Sequence, residues 1–378
     1  MRVLHLLEAT GGGTRRHVLD LLPALQAAGV ETELLFSPLR YPAFFADAAQ
    51  LRGHGVHTAA LPMARGARPL LDLRALRRLV VQLRRSPPDL LHLHSFKAGL
   101  LGRMAVALLR RPLPVVYTPH CIAFATGLPL AQRRVVRALE ALCAPRTTHF
   151  IAVSHHEAGV LRWAGLAPAE RIVTVVNGVD ARQFEPQGRV LRVESRWPSE
   201  PFVVGCFGRL TAQKNQNLLL RALALLRREG VNAKLLLCGG GEDEALLRAL
   251  AEGLGVGDSV EWTGEVSDAR PYYARCDVVA SPSRWEGCPY AVLEAMASQL
   301  PVVGARVGGI PELLGEGAGV IVRETRARVW AGEIASLRQD ATQRAALGCA
   351  ARDRVEREFT LQRMTCETLQ VYQAALRA

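Results

Sequence analysis

The chain has 378 residues, more than a single hydrophobic core usually supports, so its length predicts two domains. Its hydrophobic content of 49% and charged content of 22% are those of a folded globular protein and argue against a disordered chain. The opening segment MRVLHLLEATGGG has too short an apolar run for a secretory signal or a membrane span, and we therefore expect a cytoplasmic protein.

The net charge of +12 comes from the first half of the chain. Residues 1–190 contain 24 lysines and arginines against 12 acidic residues, whereas residues 191–378 contain 23 of each. Two predicted helices hold clusters of this charge, one with Arg74, Arg77, Arg78, Arg84 and Arg85 and the other with Arg133, Arg134 and Arg137. The lack of basic runs interleaved with aromatic residues argues against a nucleic-acid partner. Two interpretations stay open: an anionic membrane surface or lipid-linked acceptor, and a solvated arginine-rich face.

The first half alternates apolar runs with helix-length segments. The strand-like runs are RVLHLL, ETELLF, DLLHLH, PVVYTP, HFIAVS and IVTVV. Helical segments lie between them, such as TRRHVLDLLPALQAAG, which ends at Gly29, and LDLRALRRLVVQLRR. This alternation predicts a parallel sheet with helices on both faces.

A glycine-rich turn follows the first predicted strand. Gly11, Gly12 and Gly13 allow the backbone to approach a phosphate or a sugar closely. Their spacing is not that of a dinucleotide-binding or P-loop motif, so the spacing by itself identifies no nucleotide site.

Several histidines lie on or next to predicted strands of this half. His120, in YTPHCIAF, is at the carboxyl end of a strand, where sites form in α/β sheets. His92 and His94 alternate along one strand and share a face, but without a third ligand at matching spacing we expect packing rather than a metal site. His17 lies in the first helix, where a structural role is the more common one.

The second half repeats the α/β pattern after a segment rich in turn residues. Its strand-like runs are FVVGCFGRL, KLLLCGGG, SVEWTGE, CDVVASPS and PVVGAR. We therefore expect one domain at residues 1–180, a linker at 181–200, a second domain at 201–358 and a terminal helix at 359–378.

Two cations follow the first strand of the second half, in GRLTAQKNQNLLL. Arg209 and Lys214 could hold a diphosphate and stabilise the charge that remains when a sugar departs, and solvation at the surface is the alternative. The chain has no Asp-x-Asp motif for Mg²⁺ near these residues, and the acidic run at 242–244 more simply starts a helix. We therefore expect neither a metal nor a cofactor.

The stretch SRWEGCPYAVLEAMASQLPVVGARVGG places two carboxylates around a helix start. Pro289 suits the first helical position, which makes Glu286 a loop residue and puts Glu294 about one turn inside the helix. The N–H groups of the helix start favour a phosphate between them. The arrangement suits a nucleotide-sugar, although each acid alone is more often a solvated surface charge.

These motifs together resemble a known family. The segment EGCPYAVLEAMASQLPVVGARVGGIPELL resembles the signature of retaining glycosyltransferases of family 4: a Glu, seven residues, a Glu, an alanine-rich helix, a Pro-led strand and a Gly-Gly-x-Pro-Glu turn. GRLTAQK is similar to the family's Gly-Arg-Leu, three residues, Lys pattern, and YTPH to a segment of members that act in surface-polysaccharide assembly. The resemblance implies the α/β GT-B fold, with two facing Rossmann-like domains and a C-terminal helix that crosses back to the first.

The resemblance also implies a role for each candidate residue. Glu286 would hold sugar hydroxyls, Glu294 the ribose, Arg209 and Lys214 the diphosphate, and His120 the sugar from the opposite domain. The expected catalytic residues are thus His120, Glu286, Arg209 and Lys214. The expected donor-binding residues are Gly12, Gly13, Arg209, Lys214, Cys288, Pro289, Tyr290, Ala291 and Glu294.

These roles predict an enzyme that transfers a hexose-type sugar from a UDP- or GDP-sugar to an acceptor hydroxyl and keeps the anomeric configuration. In relatives the favoured mechanism is front-face attack assisted by the leaving phosphate. We expect a lipid-linked or glycan acceptor in polysaccharide, lipopolysaccharide or glycolipid assembly, with peripheral binding at the inner membrane leaflet if the basic half contacts lipid. Two alternatives stay open: a nucleotide-sugar epimerase of the same fold, and a sugar-nucleotide sensor without turnover.

Overall fold

The computed structural model describes residues 1–109, 111–184 and 200–378. Within these residues the chain forms two compact units. The first consists of Met1–Asn177 and Leu361–Ala378, and the second of Gly178–Thr360. Most of the linker predicted at 181–200 lies outside the described residues.

A parallel sheet forms the centre of the first unit. Its strands within the described residues are β1 (Arg2–Leu7), β2 (Glu31–Phe36), β3 (His57–Ala60), β4 (Leu90–His94), β5 (Val115–Thr118), β6 (His149–Ala152) and β7 (Ile172–Thr174). The strand order is β3-β2-β1-β4-β5-β6-β7. The strands β1, β2 and β3 therefore follow one another toward one edge of the sheet, and β4 to β7 follow one another toward the other edge. The direction reverses between β1 and β4. Ligands of open α/β sheets bind at such a switch point, outside the carboxyl ends of the strands.

Helices cover both faces of this sheet. They are α1 (Gly12–Ala27), α2 (Phe44–Gly53), α3 (Pro69–Arg85), α4 (Phe96–Ala107), α5 (Leu130–Cys143) and α6 (His155–Trp163). Side chains alternate between faces along β1, so Leu4 and Leu6 pack with α3, α4 and α6, while Val3 and Leu7 pack with α1 and α2. Burial on both faces explains the nearly continuous apolar sequence of the central strands.

The second unit repeats this plan with a smaller sheet. Its strands within the described residues are β8 (Phe202–Phe207), β9 (Ala233–Cys238), β10 (Val260–Gly264), β11 (Val278–Ser281), β12 (Val302–Ala305) and β13 (Val320–Val322). The order is β10-β9-β8-β11-β12-β13, again parallel throughout, which places the switch point between β8 and β11. Its helices are α7 (Gln216–Arg228), α8 (Glu244–Gly253), α9 (Arg270–Tyr273), α10 (Tyr290–Ala297), α11 (Ile310–Leu313), α12 (Ala327–Gln339) and α13 (Ala341–Glu358).

The terminal helix α14 (Leu361–Arg377) belongs to the first unit. Met364, Val371, Tyr372 and Ala375 of α14 pack into the core that also contains Val3 and the buried side of α1. The chain therefore returns to its first unit, as predicted. Among the described helices, none combines the length and apolar character needed to cross a bilayer.

The predicted α/β architecture is confirmed, but two strands escape prediction. β3 and β13 are short sheet-edge strands with mainly exposed or half-buried side chains. The sequence of β3, HTAA, lacks the apolar run that identifies the central strands, and β13 is apolar but spans only three residues, too few to be recognised as a strand.

Candidate active site

Two loops meet at the switch point of the second sheet. Lys214 lies in the loop from β8 to α7, and Glu286 lies in the loop from β11 to α10. Since β8 and β11 are parallel neighbours, both loops leave the same edge of the sheet. The Arg284 N–H donates to the Gln213 carbonyl oxygen at 2.8 Å, and the Gln213 side-chain amide donates to the Trp285 carbonyl oxygen at 3.0 Å. These bonds hold the two loops together.

Lys214 and Glu286 form an ion pair between these loops. The Lys214 Nζ donates to Glu286 Oε1 at 2.6 Å although the residues are 72 positions apart. Ser283 Oγ donates to the same oxygen at 2.7 Å. The side chains are only 18% and 7% exposed, so the pair is largely shielded from solvent. Glu286 Oε2 accepts no hydrogen bond from the described residues, which leaves one carboxylate oxygen for a ligand.

We did not predict this pairing from the sequence. The family resemblance implied that Lys214 binds a diphosphate and that Glu286 binds sugar hydroxyls. We also did not predict Ser283, which precedes Glu286 by three residues. A serine in a loop after a strand carries no signal of its own, since hydroxyls are common in turns.

A turn at Gly308 and Gly309 packs against the backbone of the Glu286 loop. Gly308 has φ of +54°, and a Cβ on it would collide with the carbonyl oxygen of Glu286. The Gly309 N–H donates to the Gly287 carbonyl oxygen at 2.8 Å. The Gly-Gly pair of the family-like GGIPE segment therefore sets the position of the Glu286 backbone.

Glu294, on α10, is held by a buried tyrosine. Tyr273 Oη donates to Glu294 Oε2 at 3.0 Å, and its ring stacks on Phe207 with centroids 3.8 Å apart. Burial, with the neighbouring Glu294 carboxylate, raises the pKa of Tyr273 well above its ordinary value. Tyr273 therefore remains a neutral donor that orients Glu294.

Helix α10 begins one residue later than predicted. Pro289 is its cap residue with φ −76° and ψ 120°, so the prediction of Pro289 as the first helical residue is wrong. Its ring fixes φ but leaves ψ free to stay extended. Cys288 and Tyr290 are buried and Ala291 is half-buried, so this segment would offer a ligand mainly backbone groups. Arg209 is half-buried directly after β8, and its carbonyl oxygen accepts from the Gln216 side-chain amide at 2.9 Å.

A group of histidines lies at the switch point of the first sheet. In the β1–β4 pairing His5 is opposite His92 and Leu7 is opposite His94. The expectation that His92 and His94 lack a third potential ligand is therefore wrong, because β1 supplies His5. The spacing along one strand could not show this, since it does not reveal which strand is its neighbour.

His92 links this group to the terminal helix. Its Nδ1 and the Tyr372 Oη are 2.6 Å apart, and its Nε2 and the Thr118 Oγ1 are 2.8 Å apart. Both ring nitrogens of His92 are thus used. No pattern in the sequence indicated that Tyr372, 280 positions from His92, would contact this strand.

His120 lies at the edge of the group, after β5. Its Nε2 is 3.0 Å from His94 Nδ1, and its backbone has φ of +61°. Its ring contacts that of His17 edge-on with centroids 4.5 Å apart, and His17 Nδ1 is 3.0 Å from Asn177 Oδ1. A positive φ is uncommon outside glycine and marks a residue that its surroundings hold in place.

Burial keeps these rings neutral. It lowers the pKa of His5 to about 3, with a smaller contribution from His17, and lowers the pKa of His17 to about 4. Burial followed by neighbouring histidines puts the pKa of His92, His94 and His120 well below the ordinary value.

Neutral imidazoles are possible metal ligands, and two triplets have ligand atoms within 4.8 Å of one another: His5, His92 and His94, and His17, His94 and His120. Neither triplet includes a carboxylate or a thiolate. In the first, a metal would have to break one of the two short hydrogen bonds of His92. We therefore interpret the group as a hydrogen-bonded network.

The predicted glycine turn is partly helical. Gly11 is the cap of α1, while Gly12 and Gly13 form its first turn, and Gly12 has φ of +65°. The same helix carries His17 about one turn later, so the glycines and the histidine group share the β1–α1 connection.

Comparison with known proteins identifies the family. The family model described as Glycosyltransferase Family 4 matches residues 11–183, and the family model described as Glycosyl transferases group 1 matches residues 189–354. The chain is 31% identical over 302 residues to the D-inositol 3-phosphate glycosyltransferase of Segniliparus rotundus, a match that covers 76% of this chain and 67% of that relative. The chain belongs to the family 4 glycosyltransferases.

Further similarities agree with this membership. The chain is 26% identical over 329 residues to the capsular polysaccharide biosynthesis glycosyltransferase CapM of Staphylococcus aureus, which covers 84% of this chain and 85% of CapM. The crystal structure of Anabaena Alr3699/HepE in complex with UDP-glucose has a TM-score of 0.82 at 23% identity and covers 99% of this chain and 100% of that chain. This likeness shows the fold: the family 4 glycosyltransferase has the GT-B architecture predicted from its motifs. Membership also decides against the epimerase and the sensor.

Proposed function

We propose that this glycosyltransferase takes its sugar from a nucleoside-diphosphate donor, a UDP- or GDP-sugar, and retains the anomeric configuration. The observation that carries the proposal is the Lys214–Glu286 ion pair at the switch point of the second sheet. Lys214 supplies positive charge for a diphosphate, and Glu286 Oε2 is available to accept a hydrogen bond from a sugar hydroxyl. The UDP-glucose bound by the Anabaena neighbour supports this donor class.

The remaining second-unit residues fit the other parts of such a donor. Arg209 shares the β8–α7 loop with Lys214, and the α10 start adds the positive end of a helix dipole. We assign both to the diphosphate, where they stabilise the departing charge without a metal ion. Glu294, oriented by Tyr273, accepts from the ribose hydroxyls.

In the first unit we assign His120 to the transferred sugar. Its position at the carboxyl edge of the sheet and its constrained backbone support this role. Gly12 and Gly13 form a helix start at the same connection as the histidine group and suit close approach of a ligand. Attack on the donor from the front face, assisted by the leaving phosphate, needs no protein nucleophile.

A thermal-shift panel of UDP-, GDP- and ADP-sugars tests the donor assignment. A ligand at 100 times its dissociation constant adds about 2.7 kcal/mol to the free energy of unfolding. We expect a UDP- or GDP-sugar to stabilise the wild type, and the shift to disappear in Lys214→Ala. The matched control is Lys234→Ala, which removes an exposed lysine of β9. Stabilisation by no nucleotide-sugar, or by the same amount in Lys214→Ala, contradicts the proposal.

We further propose a lipid-linked or glycan acceptor, with the first unit bound peripherally to the anionic inner membrane leaflet. The relationship to CapM, named for capsular polysaccharide biosynthesis, supports an acceptor of this kind. The exposed side of α3 combines charge with apolar surface, as interfacial helices do. It carries Arg74, Arg77, Arg78, Arg84 and Arg85 together with exposed Leu70, Leu73 and Val81.

Vesicle sedimentation tests the membrane assignment. Vesicles with anionic lipid should bind the protein, and a few hundred millimolar salt should release it as the Debye length falls below about 10 Å. Neutralising Arg74, Arg77 and Arg78 should weaken binding and leave donor hydrolysis intact. Neutralising three exposed arginines of α7, namely Arg221, Arg227 and Arg228, removes equal charge and should not weaken binding. Equal binding to neutral vesicles, or none to either kind, favours a solvated arginine face.

A further inference from the structure

Three imidazoles form a line from the core of the first unit to its sheet edge. His5 Nδ1 and His94 Nε2 are 3.0 Å apart, and His94 Nδ1 and His120 Nε2 are also 3.0 Å apart. His5 and His94 are fully buried, while His120 is half-buried. The His120 Nδ1 has no hydrogen-bond partner among the described residues.

The two hydrogen bonds of this line must run in the same direction. Burial lowers the pKa of all three rings, to about 3 for His5, so each ring is neutral near pH 7. A neutral imidazole has one N–H donor and one nitrogen acceptor. His94 uses both nitrogens within the line and therefore donates to one neighbour and accepts from the other. Either every ring donates toward His120, or every ring donates toward His5.

The buried end of the line decides between these two arrangements. His5 Nε2 is buried and has no partner among the described residues. If the rings donated toward His5, its proton would sit on Nε2 as a buried donor without an acceptor, an arrangement that folded proteins avoid. If they donate toward His120, the buried atom is an unprotonated nitrogen, which is the better tolerated of the two.

We propose that His5 is a positioning residue that fixes the tautomer of His120, two hydrogen bonds away. His5 donates from Nδ1 to His94, and His94 donates from Nδ1 to His120 Nε2. The His120 proton therefore sits on Nδ1, and the ring presents an N–H donor at the sheet edge. Such a donor suits an oxygen lone pair of a sugar, and this last step rests on the proposed role of His120 in sugar binding.

Nitrogen NMR of the full chain labelled with ¹⁵N-histidine tests the tautomer without any substrate. Two-bond proton–nitrogen correlations at pH 7.5 show which ring nitrogen carries the proton, and the His120→Asn spectrum assigns His120. We expect the Nδ1–H tautomer for His5, His94 and His120. A proton on His120 Nε2 would overturn the proposal, and so would one zinc ion per chain in the purified protein, because zinc would occupy lone pairs of the line.

Two variants of His5 connect the tautomer to catalysis. In His5→Asn the side-chain amide can replace the Nδ1–H donor, whereas His5→Leu has no donor. We expect His5→Leu to lose the uniform His120 tautomer and to lower kcat about tenfold, with little change in the KM for the sugar donor. This loss is smaller than the roughly hundredfold loss expected when a charge-stabilising hydrogen-bond donor is removed entirely. His5→Asn should keep both properties within about twofold.

Val3→Ala, on the same face of β1, controls for general weakening of the core and should leave the His120 spectrum unchanged. An unchanged kcat and tautomer in His5→Leu contradicts the positioning role. If no donor is turned over by the wild type, the proposed function fails while the tautomer result stands independently. If His5→Leu does not fold, the wild-type spectrum still decides the direction of the line.

Discussion

The two units place polar groups at the same point of the same kind of sheet, but with opposite chemistry. At the switch point of the second sheet lie full charges, Lys214 and Glu286, paired at 2.6 Å and largely shielded from solvent. At the switch point of the first sheet lie neutral rings, of which His5 and His94 are fully buried. The topology thus provides the location, and the local sequence decides whether the groups there are charged or neutral.

This difference between the two units predicts how strongly substitutions at each site lower turnover. By the proposed function, loss of a charge in the second unit removes a direct contact with the donor and should reduce turnover strongly. By our inference, loss of the His5 ring in the first unit changes only the position of the His120 ring proton. It should therefore reduce turnover less.

The largest effect is expected for Glu286→Ala. The fold should survive because Glu286 is a loop residue, but kcat/KM should fall about a thousandfold, since we assign its carboxylate to stabilising the transition state. Circular dichroism and initial rates of nucleoside-diphosphate release measure the two properties. Glu229→Ala, which removes an exposed acid at the end of α7, is the control. Wild-type activity in Glu286→Ala would remove this residue from the site.

Lys214→Ala and Arg209→Ala should each lower kcat/KM on the order of a hundredfold, as expected when one charge-stabilising donor is lost. Activity should persist in EDTA, because we assign to these groups the charge stabilisation that a metal ion would otherwise provide. Steady-state kinetics with and without chelator, with Lys234→Ala as the control, measure both effects. Strict dependence on Mg²⁺ would show that the account of diphosphate binding is wrong.

Gly308→Ala should reduce kcat/KM by roughly tenfold or more without touching any ligand, because the new Cβ displaces the Glu286 backbone. Gly317→Ala is a matched control. Gly317 also has a positive φ, +78°, but nothing lies within 4 Å of its added Cβ. Both variants should lose about 1 kcal/mol of stability to backbone strain, and only the first should lose activity. Equal kinetics in the two variants would refute the role of the Gly308 turn.

The last prediction concerns stability rather than turnover, and it tests the neutral rings of the first unit. With its pKa near 3, folded His5 stays neutral while the unfolded chain binds a proton below pH 6.5. Stability from this residue is therefore present above pH 6.5 and is lost as the pH falls toward 3. Between pH 7.5 and 5, wild type should lose about 2 kcal/mol more of its free energy of unfolding than His5→Asn. Urea titrations at the two pH values measure this difference, and parallel curves would show that His5 is not held neutral.

The sequence predicts the charged site better than the ring site, for a physical reason. Glu286, Pro289 and Glu294 are close along the chain, so a helix start and its flanking acids are visible as a local pattern. The pairing of Lys214 with Glu286 was not visible, because it depends on β8 and β11 being neighbours. Strand adjacency is a property of topology, and a single sequence encodes it only weakly.

The ring site depends on adjacency almost completely. His5 looked like an ordinary strand residue, and His92 and His94 looked like a pair without a third member. Only the β1–β4 register and the return of α14 with Tyr372 bring these residues together. The edge strands β3 and β13 were missed for a different reason, since β3 has no apolar run and β13 spans only three residues.

The most direct test of the central claim is analysis of the products formed from the donor that the thermal-shift panel selects. The reaction is run with acceptor in EDTA, and proton NMR follows the anomeric signals of the donor and of the new glycoside. The account predicts one nucleoside diphosphate released per glycoside formed, with the anomeric configuration of the donor retained. Inversion of that configuration, or no glycoside until Mg²⁺ is added, would contradict it.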